Sequence, residues 1–255
     1  MANALQHVAW ESCVLELHRD RALESWARKR QGVPNPAIGY FAPVPWLARA
    51  LVDLHPEYGL LMRLDHSVMD LVTLVVSQEN SCRFCYAAVR AMLWAQGMSR
   101  ARIQRIEQDL ARADLPPRTM AAMAFGRSQS RSGPAGARAA RDVLQQAGVG
   151  ADEMREIAFA VALTDFSNRV YSISAVPTRP MEQMPDQLHM RLLRPLLNRL
   201  LRRSRYPGRP TPLERIPSPP YARLVEAYAG SPIAAAVART LEDMWASGNP
   251  PWAYH

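Results

Sequence analysis

Helical periodicity extends over most of the 255-residue chain and constrains its fold more than any other feature. Apolar residues recur at three- and four-residue intervals, in segments that glycine, proline or capping residues separate. Short helices are predicted at 3–18, 21–30 and 46–55, and longer apolar helical segments begin near Tyr58 and Ala151. The pattern therefore predicts an all-α protein.

The segment after Tyr58 has one stretch, "LVTLVVS" at 71–77, whose β-branched residues alone would suggest a buried strand. Shifting the chain by 86 residues places "DLVTLVVSQENSCRF", from Asp70, over "EIAFAVALTDFSNRV", from Glu156. The second stretch is alanine-rich and helical in pattern, so we predict helices for both, and the match suggests a duplication.

Further helix boundaries follow from local signals. The segment after Tyr58 is predicted to run to about Ser77, and a helix with two cysteines runs from there to about Gln96. Gly97 is predicted to stop this helix and Ser99 to cap the next one. Two more helices, at 116–129 and 135–148, are predicted to be terminated by glycine, and a long helix covers about 151–175.

The composition changes after Pro177. The pattern predicts a linker, a basic amphipathic helix broken or kinked at Pro195, a proline-rich loop and a final helical hairpin. We accordingly predict a helical domain at 1–177 with its core at about 40–177, a basic helix and linker at 178–218, and a C-terminal hairpin at 219–255.

The net charge of +8 is concentrated in one segment. Seven arginines and no acid lie between Asp186 and Glu214: Arg191, Arg194, Arg199, Arg202, Arg203, Arg205 and Arg209. Such a segment can bind an anionic membrane or nucleic acid. Since it has no interleaved aromatic residues apart from Tyr206 and no known DNA-binding motif, nucleic acid is not the partner we expect.

The sequence predicts a cytoplasmic protein without a membrane span. No apolar run reaches the ~20 residues that a spanning helix needs, and the first residues lack the pattern of a signal peptide. Three cysteines are too few for a disulfide-built secreted fold. A close cysteine pair in the cytosol indicates redox chemistry or metal binding.

The pair lies in "SQENSCRFCYAAVRAM", at 77–92. Cys82 and Cys85 at positions i and i+3 near a helix start share one face and can form a disulfide. Asn80 or Ser81 is predicted to cap the helix, whose N-terminus favours thiolate over thiol. The spacing therefore suits a redox pair.

The cysteine pair has two other interpretations. A zinc site needs four ligands, and the only other candidates of that kind are Cys13 and His18, at an unusual spacing. Inert buried cysteines are the second alternative. Cys13 itself is predicted to be a core residue of its helix. We expect no metal and no cofactor.

The text "DLVTLVVSQENSCRFCYAAV" resembles the carboxymuconolactone decarboxylase superfamily, specifically its AhpD-like alkylhydroperoxidase branch. "GMSRARIQRIE", "MAAMAFGRS" and "DVLQQAGVGADEMREIAFAVALTDFSNRV" extend the resemblance over about 40–177. The resemblance implies an all-α AhpD-like helical bundle, here with a C-terminal helical extension. It also implies a homo-oligomer and thiol-dependent hydroperoxide reduction.

Carried over residue by residue, the resemblance implies that Cys85 attacks the peroxide and that Cys82 is its disulfide partner. Asp70, twelve residues before Cys82, stands at the position of the family's proton-relay glutamate. Val89 occupies the position of the family histidine, so the usual base is missing, and its apolar side chain should push the Cys85 pKa upward.

Two residues could replace that histidine. Glu79 lies three residues before Cys82, and His66 lies one helical turn before Asp70. We therefore predict a (hydro)peroxide reductase with an antioxidant role and weak activity. Its partners would be a hydroperoxide and a dithiol or disulfide-reducing protein as electron donor. The alternatives are a general thiol–disulfide oxidoreductase and a non-catalytic protein that binds an anionic partner through its arginines.

Overall fold

The structure is a computed structural model that describes residues 5, 8–10, 12–31, 34–44, 47–48, 51–52, 65–132 and 134–204. Every regular element among these residues is a helix, which confirms the predicted all-α class. The predicted proline-rich loop and C-terminal hairpin lie outside the described residues.

The helices are as follows, in chain order: α1 Arg21–Gln31, α2 His66–Glu79, α3 Arg83–Ala95, α4 Arg100–Gln108, α5 Pro117–Ser132, α6 Pro134–Gln146, α7 Ala151–Ser174, α8 Arg179–Gln183 and α9 Leu188–Ser204. Short 3-10 turns occur at Ile38–Phe41, Leu110–Arg112 and Met184–Asp186. None of the described helices is long and apolar enough to cross a bilayer.

The chain divides into two compact units. One contains residues 1–16 and 61–208, and with them α2 to α9; the other contains residues 17–60 and 209–255. In the described part of the second unit, the Asp20 side chain accepts a hydrogen bond from the Leu23 N–H and so caps α1. The N–H of His18 bonds to the carbonyl of Gly39 in the turn Ile38–Phe41.

The core of the first unit is formed by α2, α3, α5 and α7. Helix α2 packs against the other three, and α3 also contacts α7, α8 and α9. Gly126 permits the close approach of α5 to α2, because a Cβ there would lie 3.1 Å from methyl groups of both Val72 and Val76. This central position explains why the β-branched stretch at 71–77 is a helix that is apolar nearly all round.

Several predicted boundaries are confirmed. Helices α2 and α3 occupy the apolar and cysteine segments, and α7 occupies the second long segment. Ser99 caps α4 by accepting from the Arg102 N–H, and Gly97, with φ of 107°, follows the end of α3. These boundaries were predictable because each depends on residues within one turn of it.

The predicted helix at 3–18 is wrong for its described residues, which run without regular structure from 8 to 10 and from 12 to 18. Their polar groups bond to the end of α7 instead. Val14 N–H donates to the Ser174 carbonyl at 3.3 Å, and Trp10 Nε1 donates to the Val176 carbonyl at 2.9 Å. Contacts made 160 residues away thus replace the local helical bonds.

The predicted linker after Pro177 also differs, since it contains α8 and the turn Met184–Asp186. Arg83, the first residue of α3, donates to both carboxylate oxygens of Glu182 at 2.7 and 3.1 Å, which fixes α8 against α3. The basic helix α9 continues through Pro195.

Candidate functional site

The turn between α2 and α3 fixes the position of Cys82. Ser81 adopts the left-handed conformation, with φ of 53°. The Cys82 N–H donates to the Ser77 carbonyl at 3.0 Å, and the Ser81 N–H donates to the Gln78 carbonyl at 3.1 Å. This is the Schellman pattern that ends a helix, formed here without glycine at the left-handed position. Cys82 is therefore held by the end of α2 before α3 begins.

Cys82 is itself the N-cap of α3. The predicted cap, Asn80 or Ser81, is wrong because Asn80 ends α2 and directs its side chain to Asp165, at 2.5 Å. The Cys82 Sγ accepts from the Cys85 N–H at 3.5 Å. A sulfur in the cap position faces the unpaired N–H groups of the first helical turn, where a negative charge is favoured.

Both thiols are reduced and buried, with 0% exposure for Cys82 and 9% for Cys85. Burial by itself raises the pKa of the Cys82 thiol. Hydrogen-bond donors outweigh burial, so the pKa lies below its ordinary value; they are the Cys85 thiol and N–H, the Phe84 N–H and the Ser172 hydroxyl. Burial, the hydrogen bond to Cys82 and the charge of Cys82 raise the pKa of Cys85 well above its ordinary value.

Of the two coupled thiols, Cys82 is therefore the one that loses its proton more readily, and Cys85 is the one that keeps it. The order implied by the resemblance made Cys85 the reactive sulfur, and this environment favours the opposite order. The sequence predicted that an apolar neighbourhood would raise the pKa of Cys85. The pKa is raised, and burial is the largest cause of the increase.

Helix α7 supplies the other wall of the site. Besides the Ser172 hydroxyl, it contributes Tyr171, whose ring centroid lies 4.7 Å from that of Phe84. Burial, and after it the charges of the two thiols, raise the pKa of Tyr171. Its phenol therefore stays protonated at neutral pH and cannot serve as a base.

A buried polar contact lies directly below the cysteine turn. The Ser77 hydroxyl donates to Asn168 Oδ1 at 3.1 Å, with both residues at most 1% exposed. Because the Ser77 carbonyl also accepts from the Cys82 N–H, this pair connects α7 to the turn that holds Cys82.

The sequence comparison pointed to α7 only indirectly. In the alignment shifted by 86 residues, Asn168 and Tyr171 stand at the positions of Cys82 and Cys85. The second stretch therefore lacks the cysteine pair of the first. In the folded chain its residues instead surround the cysteines of the first stretch, and Ser172, the next residue, was missed.

The predicted acids lie at different places on α2. Asp70 accepts from Gln96 Nε2 at 2.7 Å, and Gln96 follows the end of α3 that is remote from the cysteines. Nine residues of helix separate Asp70 from Glu79, about 14 Å of helical rise. The contact between Asp70 and Gln96 therefore draws the Asp70 carboxylate away from Cys82.

Glu79, at the cysteine end of α2, is bound to two arginines of α5. Arg127 lies 2.8 Å from one of its oxygens, and Arg131 binds both oxygens. His66 is the first residue of α2, so it lies one turn farther along the helix from the cysteines than Asp70 does. Val89 follows Cys85 by one helical turn and is 6% exposed, so an apolar group occupies the position of the family histidine.

Cys13 is not the helical core residue that was predicted. It lies in the irregular segment at 12–18, is half-buried, and donates a hydrogen bond to the Ser174 carbonyl at 3.2 Å. Among the residues that the structure describes, no group of three or more His, Cys, Asp or Glu side chains is placed to hold a metal ion.

Comparison with known proteins agrees with this fold. Residues 57–128, which include both cysteines of the pair, match the model of the Carboxymuconolactone decarboxylase family. This match, together with the all-α, AhpD-like fold, confirms the resemblance that the sequence shows to that family. No match is found among curated proteins.

Two solved structures are similar in fold. An uncharacterized peroxidase-related protein from Silicibacter sp. TM1040 aligns with a TM-score of 0.55 and 19% identity, over 67% of this chain and 93% of that one. A second one, from Ralstonia eutropha JMP134 and described as an alkylhydroperoxidase AhpD core, aligns with a TM-score of 0.56 and 20% identity, over 64% and 87%. At these identities the likeness concerns the fold.

Proposed function

We propose that the protein is a thiol-dependent hydroperoxide reductase in which Cys82 and Cys85 cycle between dithiol and disulfide. The observation that carries this proposal is the pair of reduced, mutually hydrogen-bonded thiols, with Cys82 stabilised as thiolate by the start of α3 and by Ser172. A stabilised thiolate beside a second thiol is the arrangement that peroxide reduction needs.

The reaction begins when the Cys82 thiolate attacks one oxygen of R–O–O–H. The O–O bond breaks, Cys82 becomes a sulfenic acid, and the alkoxide takes the proton of the Cys85 thiol to give the alcohol. The Cys85 thiolate then attacks the Cys82 sulfur, forms the disulfide and releases hydroxide. The peroxide gains two electrons, and the two sulfurs lose them.

These reaction steps reverse the roles that the resemblance implied for the two cysteines. It also replaces the missing histidine. The Cys85 thiol, whose pKa is raised and which therefore stays protonated, supplies the proton that a histidine would deliver.

Two of the three other candidate residues, Glu79 and Asp70, have supporting roles in this proposal. Glu79 links the cysteine end of α2 to α5 through its ion pairs with Arg127 and Arg131. Asp70 positions the far end of α3 through Gln96. A proton-transfer role for His66 stays a prediction.

The burial of both thiols supports a small peroxide as substrate over a protein disulfide. Exchange with a protein disulfide passes through a mixed disulfide, which needs an accessible sulfur. Cys82, at 0% exposure, cannot form one without local opening of the site. We therefore expect slow reduction of small hydroperoxides, with a small dithiol as the electron donor. A homo-oligomer stays a prediction from the resemblance.

The test is titration with one equivalent of a small alkyl hydroperoxide, followed by thiol counting and mass mapping. We expect the loss of two thiols per chain, a Cys82–Cys85 disulfide, and Cys13 still reduced. The matched control, Cys13→Ser, should react at the same rate. No reaction at millimolar peroxide, or faster reaction with a protein disulfide than with peroxide, would exclude the proposal.

A further inference from the structure

The described contacts between α9 and the end of α3 lie on one face of α9. Arg194 donates to the carbonyls of Trp94 and Met98 at 2.9 and 3.1 Å, and its guanidinium lies 5.0 Å from the Trp94 ring centroid. Asn198, one turn later, lies so close to Gly97 that a Cβ there would be 2.8 Å from its amide nitrogen. These contacts fix the orientation of α9 at the end of α3.

The opposite face of α9 exposes leucines in a row. Leu188, Leu192 and Leu196 recur at four-residue intervals and are 71%, 74% and 53% exposed, and Leu193 beside them is 46% exposed. Isolated exposed leucines are common on proteins, whereas a continuous row on an amphipathic helix marks an interaction surface.

Positive charge borders this row of leucines. Arg191 and Arg199 are exposed on α9, and the sequence adds Arg202, Arg203 and Arg205 directly after them. No acid occurs in the chain between Asp186 and Glu214. The surface therefore combines apolar side chains with arginines, of which Arg191 lies 3.7 Å from the Asp186 carboxylate.

We propose that the face of α9 that carries Leu188, Leu192 and Leu196 docks on an anionic lipid surface. Such a surface offers an acyl boundary for leucines and phosphate groups for arginines at the same depth. Helix α9 would lie in the plane of the lipid surface, and the contacts of Arg194 and Asn198 would attach its opposite face to the end of α3.

Two other occupants fit the charges less well. A second copy of this chain, docked through the same face, would bring arginines against arginines, and α9 has no acid to pair with them. Nucleic acid would leave the leucines against phosphate and sugar, without aromatic side chains for base stacking.

The experiment is sedimentation of the full chain with vesicles of phosphatidylcholine alone and of phosphatidylcholine with phosphatidylserine. We expect binding to the anionic vesicles only, weakened by added salt. Leu192→Ser should lower the partition coefficient about ten-fold, because a leucine loses its apolar contact. Arg199→Glu should lower it more than twenty-fold, since about five-fold is lost for each of two charge units.

Matched controls lie elsewhere on the same unit. Ile173→Ser on α7 removes an apolar side chain of similar exposure, 78%, and Arg138→Glu on α6 reverses an exposed arginine. Both should bind anionic vesicles like the parent, and all four variants should keep the parent's melting temperature. The proposal is overturned by equal binding to neutral vesicles or by no vesicle binding. It is also overturned by equal effects of α9 and control variants, and by retention on nucleic acid or self-association through α9 without vesicle binding.

Discussion

The hydroxyl of Ser172 should be one of the groups that lower the pKa of Cys82, and Ser172→Ala tests this. A hydrogen bond to a charged group contributes about 1.5–3 kcal/mol. Since Ser172 is only half-buried, the lower end applies, about a ten-fold change in an equilibrium constant. At a pH below the pKa of Cys82, the fraction of Cys82 present as thiolate should therefore fall about ten-fold.

The sign of the pH dependence follows from the lowered pKa. Replacing Ser172 moves the pKa of Cys82 back upward. The ratio of thiolate in the parent to thiolate in Ser172→Ala is therefore largest at low pH, and it falls to one when Cys82 is fully ionised in both proteins. The assay is the ultraviolet absorbance of thiolate against pH, in a Cys13→Ser background that removes the third thiol.

Ser174→Ala is the matched control for this change. Its hydroxyl lies in the same turn of α7 but donates to the Val170 carbonyl at 2.8 Å. We expect the titration of Ser174→Ala to overlay that of the parent. If Ser172→Ala also overlays it, or if both serine variants shift equally, the role of Ser172 is refuted.

Two further predictions concern stability and are measured by urea unfolding. Ser77→Ala should lower the free energy of unfolding by about 1–3 kcal/mol, because the buried Asn168 oxygen loses its hydrogen-bond donor. Adding Asn168→Leu should recover most of this loss. Equal losses in the single and the double variant would contradict the prediction. Gly126→Val should lower the free energy of unfolding by about 1–2 kcal/mol, because the new side chain overpacks the contact of α5 with α2. Ala124→Val, at an exposed position of the same helix, should lower it by no more than ~0.7 kcal/mol. Equal losses in the two variants would show that α2 can move away.

The helices of the core were predictable because their signals are local. The stretch at 71–77 was the hardest case, since β-branched residues favour strands and apolar residues occupy nearly every position. Packing against α3, α5 and α7 favours the helix over that preference. The second, alanine-rich stretch, now α7, was the signal that resolved the ambiguity.

The segment at 8–18 has the same helical spacing but does not form a helix. Its Val14 N–H and Trp10 indole bond to carbonyls at the end of α7. No local pattern shows this, because the partners lie more than 150 residues further along the chain. The core position predicted for Cys13 was wrong for the same reason.

The site was predictable in part. The spacing of Cys82 and Cys85 and their place at a helix start are local features, and both are observed. The identity of the thiolate is not local, since it depends on Ser172 and on burial by other helices. Asp70 was assigned to the position of the family's glutamate by its distance from Cys82 in the sequence. Its side chain is shorter than that of glutamate, and it accepts a hydrogen bond from Gln96 instead.

The central claim is that Cys82 is the sulfur that reacts with peroxide. The most direct measurement is trapping of sulfenic acid with a dimedone-type reagent after stoichiometric peroxide, in Cys82→Ser and Cys85→Ser variants. We predict that Cys85→Ser yields a trapped adduct on Cys82 and that Cys82→Ser yields none. An adduct on Cys85 in Cys82→Ser, with none in Cys85→Ser, would contradict the assignment of the thiolate, and the absence of an adduct in both variants would contradict the peroxidase itself.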